Sequence, residues 1–121
     1  MGITSTDGRF IREEREKLQL ALGSQYALRQ VAGRVGLEPS YLSKIERDIF
    51  LPPSEAAIVR LANDLKLDSD VLLAMAGKLS SDLQAIIMQR PTLFGELLRD
   101  LKSMPDHAIL RIAREIEDGE W

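Results

Sequence analysis

The sequence predicts an all-α protein: a compact domain of five short helices followed by a short C-terminal helical extension. Three observations carry this expectation. Only six of the 121 residues are aromatic, so the core has to be built from Leu, Ile, Val and Ala, a bias that favours helices over sheets. Apolar residues recur three and four apart, without the alternation of strands. Glycines and prolines fall at intervals that suit helix ends. With 45% apolar and 29% charged residues, the chain has the composition of a folded soluble protein. Its length allows one ordinary domain, or one small domain with an added subdomain.

Residues 1–8 are polar and small and read as a flexible N-terminal tail with no targeting signal. A first helix is expected over 9–22, with Phe10, Ile11, Leu18 and Leu22 on one face and Gly23 as its stop. A short second helix covers 28–35 and ends at Gly36. A third opens at Pro39, whose fixed φ suits a first helical turn, and runs to Arg47. Residues 48–53 form a loop, because paired prolines do not fit a helix interior. Ser54 caps a fourth helix reaching Leu65, with Ile58, Leu61, Ala62 and Leu65 facing inward. Asp68 or Ser69 caps a fifth that ends at Gly77.

Three further helices are expected in the extension. The first, 81–89, stops at Arg90-Pro91. The second, 92–102, carries Leu93, Leu97, Leu98 and Leu101 on one side. The third, from Pro105 to Asp118, carries Ile109, Ile112, Ala113 and Ile116. Ser103 and Asp106 are spaced as in a capping box. The extension is expected to pack against the first five helices or against a partner. The terminal Trp121 either frays or anchors on a neighbouring surface.

Chemistry is limited by what is missing. The chain has no cysteine, which excludes disulfides, thiolate metal sites and cysteine nucleophiles and fits a reducing cytoplasmic setting. No apolar run approaches the ~20 residues of a membrane span. There is no phosphate-cradling loop, no H-E-x-x-H and no nucleophile elbow. His107, the one histidine, reads as a surface residue. Glu13, Glu14 and Glu16 read as a solvated helix face, and Asp68 and Asp70 as capping residues. No catalytic residue, metal ligand or cofactor site is expected, and the chain does not read as an enzyme.

The net charge of −3 is unevenly placed. Residues 1–66 hold ten Lys/Arg against nine Asp/Glu, a balance of +1, whereas 67–121 hold six against ten, a balance of −4. A nucleic-acid reader needs a local basic face, so this balance neither supports nor excludes one.

The informative stretch is 28–47, LRQVAGRVGLEPSYLSKIER. Ala32 is small where two helices must cross closely, and Gly36 supplies the turn between them. Leu42 and Ile45 face the core, which leaves Ser40, Tyr41, Ser43 and Lys44 pointing outward. Tyr41-Leu42-Ser43-Lys44-Ile45-Glu46-Arg47, an arginine of the first helix able to pair with Glu46, Pro53-Ser54 and Val59-Arg60-Leu61-Ala62 all fall in register. In these features the segment resembles the helix-turn-helix of the lambda repressor/Cro-type (XRE) family, and residues 9–76 resemble that family's five-helix arrangement.

The resemblance implies a sequence-specific DNA-binding transcriptional regulator, a repressor or autoregulator that binds a palindromic operator as a homodimer. It places the third helix in the major groove of double-stranded DNA. Ser40 and Lys44 then match base-reading positions, Tyr41 and Ser43 touch base edges or backbone, and Arg29 and Arg47 are phosphate candidates. Arg15 with Glu46 matches the family's structural ion pair, with Arg12 as the competing partner. The implied division is a tail over 1–8, the DNA-binding domain over 9–77, and an extension over 78–121 for dimerisation or partner binding. The family's glutamine at the start of the second helix is here Leu28, the cap before it is Ala27, and Pro39 occupies a position that often carries a base-reading glutamine. The loop Asp48-Ile49-Phe50-Leu51 has no basic residue. These departures weaken the phosphate grip and make binding depend on a dimer. The alternative is an antitoxin or protease-controlled repressor whose residues 81–121 hold a protein partner. An architectural, non-specific binder is disfavoured by the negative net charge.

Overall fold

The computed structural model describes residues 6–50 and 54–119. Among these residues it is all-α, with eight helices and no strand. They are α1 (Thr6–Leu22), α2 (Leu28–Val35), α3 (Pro39–Glu46), α4 (Glu55–Asp64), α5 (Ser69–Met75), α6 (Ser81–Gln89), α7 (Pro91–Lys102) and α8 (Asp106–Asp118), with a 3-10 turn at Ser24–Tyr26 between α1 and α2. The chain divides into two compact units, one up to Ser80 and one from Ser81 onward.

The first unit is built on an aliphatic core. Ile11 of α1, Val31, Ala32 and Val35 of α2, Leu42 and Ile45 of α3, Ile58, Leu61 and Ala62 of α4, Leu65, and Leu72 and Leu73 of α5 are buried together. Burial of each large side chain of this kind is worth about 1.5–3 kcal/mol. Ala32 is fully buried, which fits its small size between packed helices. Helices α1 and α3, α2 and α3, α2 and α4, and α4 and α5 are the main neighbours.

Helix ends follow local chemistry. The Ser54 hydroxyl accepts the Ala57 N–H at 3.1 Å, and the Asp68 carboxylate accepts those of Asp70 and Val71 at 2.8 and 3.3 Å. This decides the start of α5 in favour of Asp68 over Ser69. Helix α2 stops at Gly36, which is left-handed at φ 75° and lets Leu37 N–H return to the Ala32 carbonyl at 2.9 Å. Helices α3 and α4 stop with the same pattern of returning bonds, but with Asp48 (φ 59°) and Lys66 (φ 61°) in the left-handed position.

Several boundaries differ from the sequence reading. The tail expected over 1–8 is interrupted by α1, which already starts at Thr6; residues 1–5 lie outside the described residues. The reason is tertiary: Gly8 is buried, and its N–H donates to the Asp48 carboxylate at 2.9 Å beyond α3. Leu22 is exposed and does not join Phe10, Ile11 and Leu18, because the helix projects past the core before Gly23. Helix α6 ends at Gln89 as expected, but α7 starts one residue before Thr92, with Pro91 in its first turn. The capping box fails: the α8 cap position is Pro105, so Asp106 lies in the first turn, and the Ser103 hydroxyl donates back to the Asp100 carbonyl at 3.3 Å. Residues 51–53, including Pro53, and Trp121 lie outside the described residues.

The second unit comprises α6, α7 and α8. None of the three helices contains a buried residue. Leu101, Ile109 and Ile112 are half-buried, as is Phe94, whereas Leu93, Leu97, Leu98, Leu110 and Ile116 are exposed.

Candidate functional site

Helix α3 is positioned from below and from one end. Leu42 and Ile45 sink into the core, while Glu46 meets Arg15 of α1. The pairing is two-pronged, with Arg15 Nε to Glu46 Oε2 at 2.6 Å and Arg15 Nη2 to Glu46 Oε1 at 2.9 Å. The third guanidinium nitrogen, Nη1, donates to the Tyr26 carbonyl at 3.1 Å and to Gln19 Oε1 at 3.4 Å. Both partners are buried, Arg15 at 6% exposure and Glu46 at 5%. The Glu46 hydrogen bond outweighs the opposing effect of burial and holds the Arg15 guanidinium above its ordinary basic range. The structure therefore chooses Arg15 over Arg12. Arg12 pairs with its own-helix neighbour Glu16 at 3.2 Å.

The end of α3 turns back on itself. Asp48 N–H donates to the Ile45 carbonyl at 3.0 Å and Ile49 N–H to the Lys44 carbonyl at 2.9 Å. With Asp48 left-handed, these bonds make a Schellman turn. The turn lays Phe50 along α3, with its ring centroid 5.8 Å from that of Tyr41 and 5.3 Å from the Lys44 ammonium.

The six residues expected to contact DNA are therefore not equally outward. Arg29, Ser40 and Arg47 are exposed, whereas Tyr41, Ser43 and Lys44 are half-buried. Tyr41 packs against the core cluster as well as Phe50, and Arg47 folds back so that its Nε donates to the Ser43 carbonyl at 3.3 Å. Ser43 and Arg47 line a depression with Arg12 of α1 and Leu28 of α2, floored by the Arg15–Glu46 pair. Its volume of about 190 Å³ is below the roughly 300 Å³ at which small-molecule pockets begin.

Two other arginines are taken up by the scaffold, a use the sequence reading did not assign. Arg34 of α2 forms a two-pronged pair with Asp64 of α4, at 2.7 and 3.0 Å, and stands 5.1 Å from the centre of the Tyr26 ring. The Asp64 hydrogen bond raises its basicity. Arg60 of α4 donates from Nε to the Val35 carbonyl at 2.9 Å, closing the end of α2. Phe50 was missed as well. Its only sequence signal is an Asp two residues past a helix end, followed by apolar residues.

Among the described residues no three His, Cys, Asp or Glu side chains come together as metal ligands, and no helix is long and apolar enough to cross a membrane. His107 is exposed. The chain matches no family model, no curated protein and no solved structure among those compared.

Proposed function

We propose that this protein is a sequence-specific DNA-binding transcriptional regulator, a repressor or autoregulator, with α3 as the recognition helix of a lambda-repressor-like five-helix domain. The observation that carries the reading is the seat of α3. A short helix opening at Pro39 is fixed by the buried Arg15–Glu46 pair, with Ser40 exposed and Lys44 half-buried on its outer side. A helix that reads base edges needs this rigidity, because an ångström of play forfeits a hydrogen bond. Ser40 and Lys44 face the bases in this reading, with Tyr41 and Ser43 beside them. Arg29 and Arg47 meet phosphates. Neither catalysis nor a cofactor has a part in it, and the setting is cytoplasmic.

One such helix covers few base pairs, so a homodimer on a palindromic operator is the working form. The second unit supplies the contact. Its helices contain no fully buried residue and leave Leu93, Leu97 and Leu98 of α7 exposed, a surface that a second copy would cover. The same observation supports the second reading, an antitoxin or protease-controlled repressor whose residues 81–121 hold a different protein. Copurification of a neighbouring gene product, lost on deleting 81–121, favours that reading; a homodimer by mass favours the first.

Binding to a palindromic duplex, measured for the parent and for Lys44→Ala and Ser40→Ala, tests the function. Loss of about 1–3 kcal/mol of discrimination in either variant is expected. Parent-like binding by both removes α3 as the reading face.

A further inference from the structure

We infer that Phe50 is a specificity-determining residue: it positions the Lys44 ammonium over its ring and itself meets the 5-methyl group of a thymine beside the base that Lys44 contacts. The inference rests on the reading of α3 as a recognition helix and names the chemistry that helix is built to find.

Three features of the α3 end converge on this role. The Schellman turn at Asp48 sends the backbone back over the last turn of α3, so Phe50 N–H also points at the Lys44 carbonyl, at 3.4 Å. The ring packs beside that of Tyr41 at a 50° interplanar angle. Lys44 Nζ stands 5.3 Å from the ring centroid, within the range at which a cation is held by an aromatic face.

An unbraced lysine is a poor reader, since its four-carbon stem samples many rotamers and its ammonium is a point charge. An aromatic floor removes part of that freedom before DNA arrives. Phe50 remains 47% exposed with Ile49 beside it at 54%, so the cation is flanked by a large apolar edge. In the major groove, guanine O6 and N7 are acceptors for a lysine, and the thymine methyl is the apolar feature a phenyl ring recognises. A lysine fixed beside an exposed ring therefore fits a guanine next to a thymine.

The test uses the full-length protein and a duplex recovered from a random pool by its binding. Uracil replaces each thymine of that duplex in turn, which deletes single methyl groups. At one thymine per half-site the parent should lose about fourfold in affinity, as expected for one apolar carbon. Phe50→Leu keeps apolar bulk without an aromatic face. It should lose about two- to fivefold in discrimination at the adjacent guanine, and Phe50→Trp should restore it. Parent-like discrimination by Phe50→Leu, or no thymine sensitive to methyl loss, overturns the inference while leaving α3 as the reader. A parent that recovers no preferred sequence overturns the functional reading itself, and this inference with it.

Discussion

Arg15 on α1 and Glu46 at the end of α3, 31 residues apart, meet in a two-pronged buried pair at 2.6 and 2.9 Å. Both N–H groups of Nη1 are taken up as well, by the Tyr26 carbonyl and Gln19, so four of the five guanidinium donors are engaged. Such a pair adds less to stability than its geometry suggests, but breaking it is expensive because one charge is left buried alone. Glu46→Ala should destabilise the first unit by about 3–5 kcal/mol, read by urea denaturation. The double variant Arg15→Met/Glu46→Leu should recover most of that loss. Equal losses in the single and double variants would show that the pair is not the joint.

The pair also sets a pH expectation. Arg15 is more basic in the folded state than in the unfolded one, so its contribution is complete below the ordinary guanidinium range and is lost only as pH rises through its higher folded value. The part of the stability that is abolished by Arg15→Met should therefore stay constant as pH rises from neutrality to 10. A decline within that window, measured as the difference between parent and variant, contradicts it.

Gly8 is placed so that a Cβ would strike the Ile45 carbonyl and the Asp48 carboxylate. Its N–H already donates to that carboxylate at 2.9 Å. Gly8→Ala should cost about 1–3 kcal/mol, in the range of overpacked sites, and should be visible as a lower thermal midpoint. A neutral outcome would mean that the first turn of α1 does not pack on the end of α3.

Lys66 holds a left-handed conformation, φ 61°, at the end of α4, where glycine is free of the Cβ penalty. Lys66→Gly should raise stability by about 1 kcal/mol. Asp48 shares the conformation, but its carboxylate holds Gly8, so Asp48→Gly should not show the same gain. Comparing the two thermal midpoints checks this contrast.

Leu97 and Leu98 of α7 are exposed at 42% and 53%. If the proposed homodimer forms through these residues, Leu97→Asp/Leu98→Asp should weaken self-association by about 100-fold, roughly 2.7 kcal/mol, in sedimentation equilibrium. The unfolding transition of the first unit should not move. A monomeric parent would shift the second unit to another partner.

Much of this was legible in the sequence. The core positions Ala32, Leu42, Ile45, Ile58, Leu61, Ala62 and Leu65, and the Gly36 turn, follow from spacing and residue size. The choice of Arg15 came from the resemblance to a known helix-turn-helix and from no spacing rule, since Arg12 lies one turn away. What stayed hidden depends on tertiary contact. Gly8 reads as the end of a polar tail until its contacts with Asp48 and Ile45 are seen. The roles of Arg34 and Arg60 require α2 and α4 to be neighbours. Phe50 looks like loop filler until a left-handed Asp48 turns it onto Tyr41 and Lys44. Ser103 and Asp106 were misleading because capping depends on which residue is the cap, and that residue is Pro105.

The most direct test of the central claim is selection of bound fragments from a random duplex pool by the purified full-length protein, run beside Lys44→Ala. The expected result is an inverted repeat with half-site centres about one helical turn (~34 Å) apart, with the base preference at one position per half-site relaxed in the variant. Recovery of no preferred sequence, or of an identical preference by Lys44→Ala, would contradict the assignment of α3 as a DNA reader.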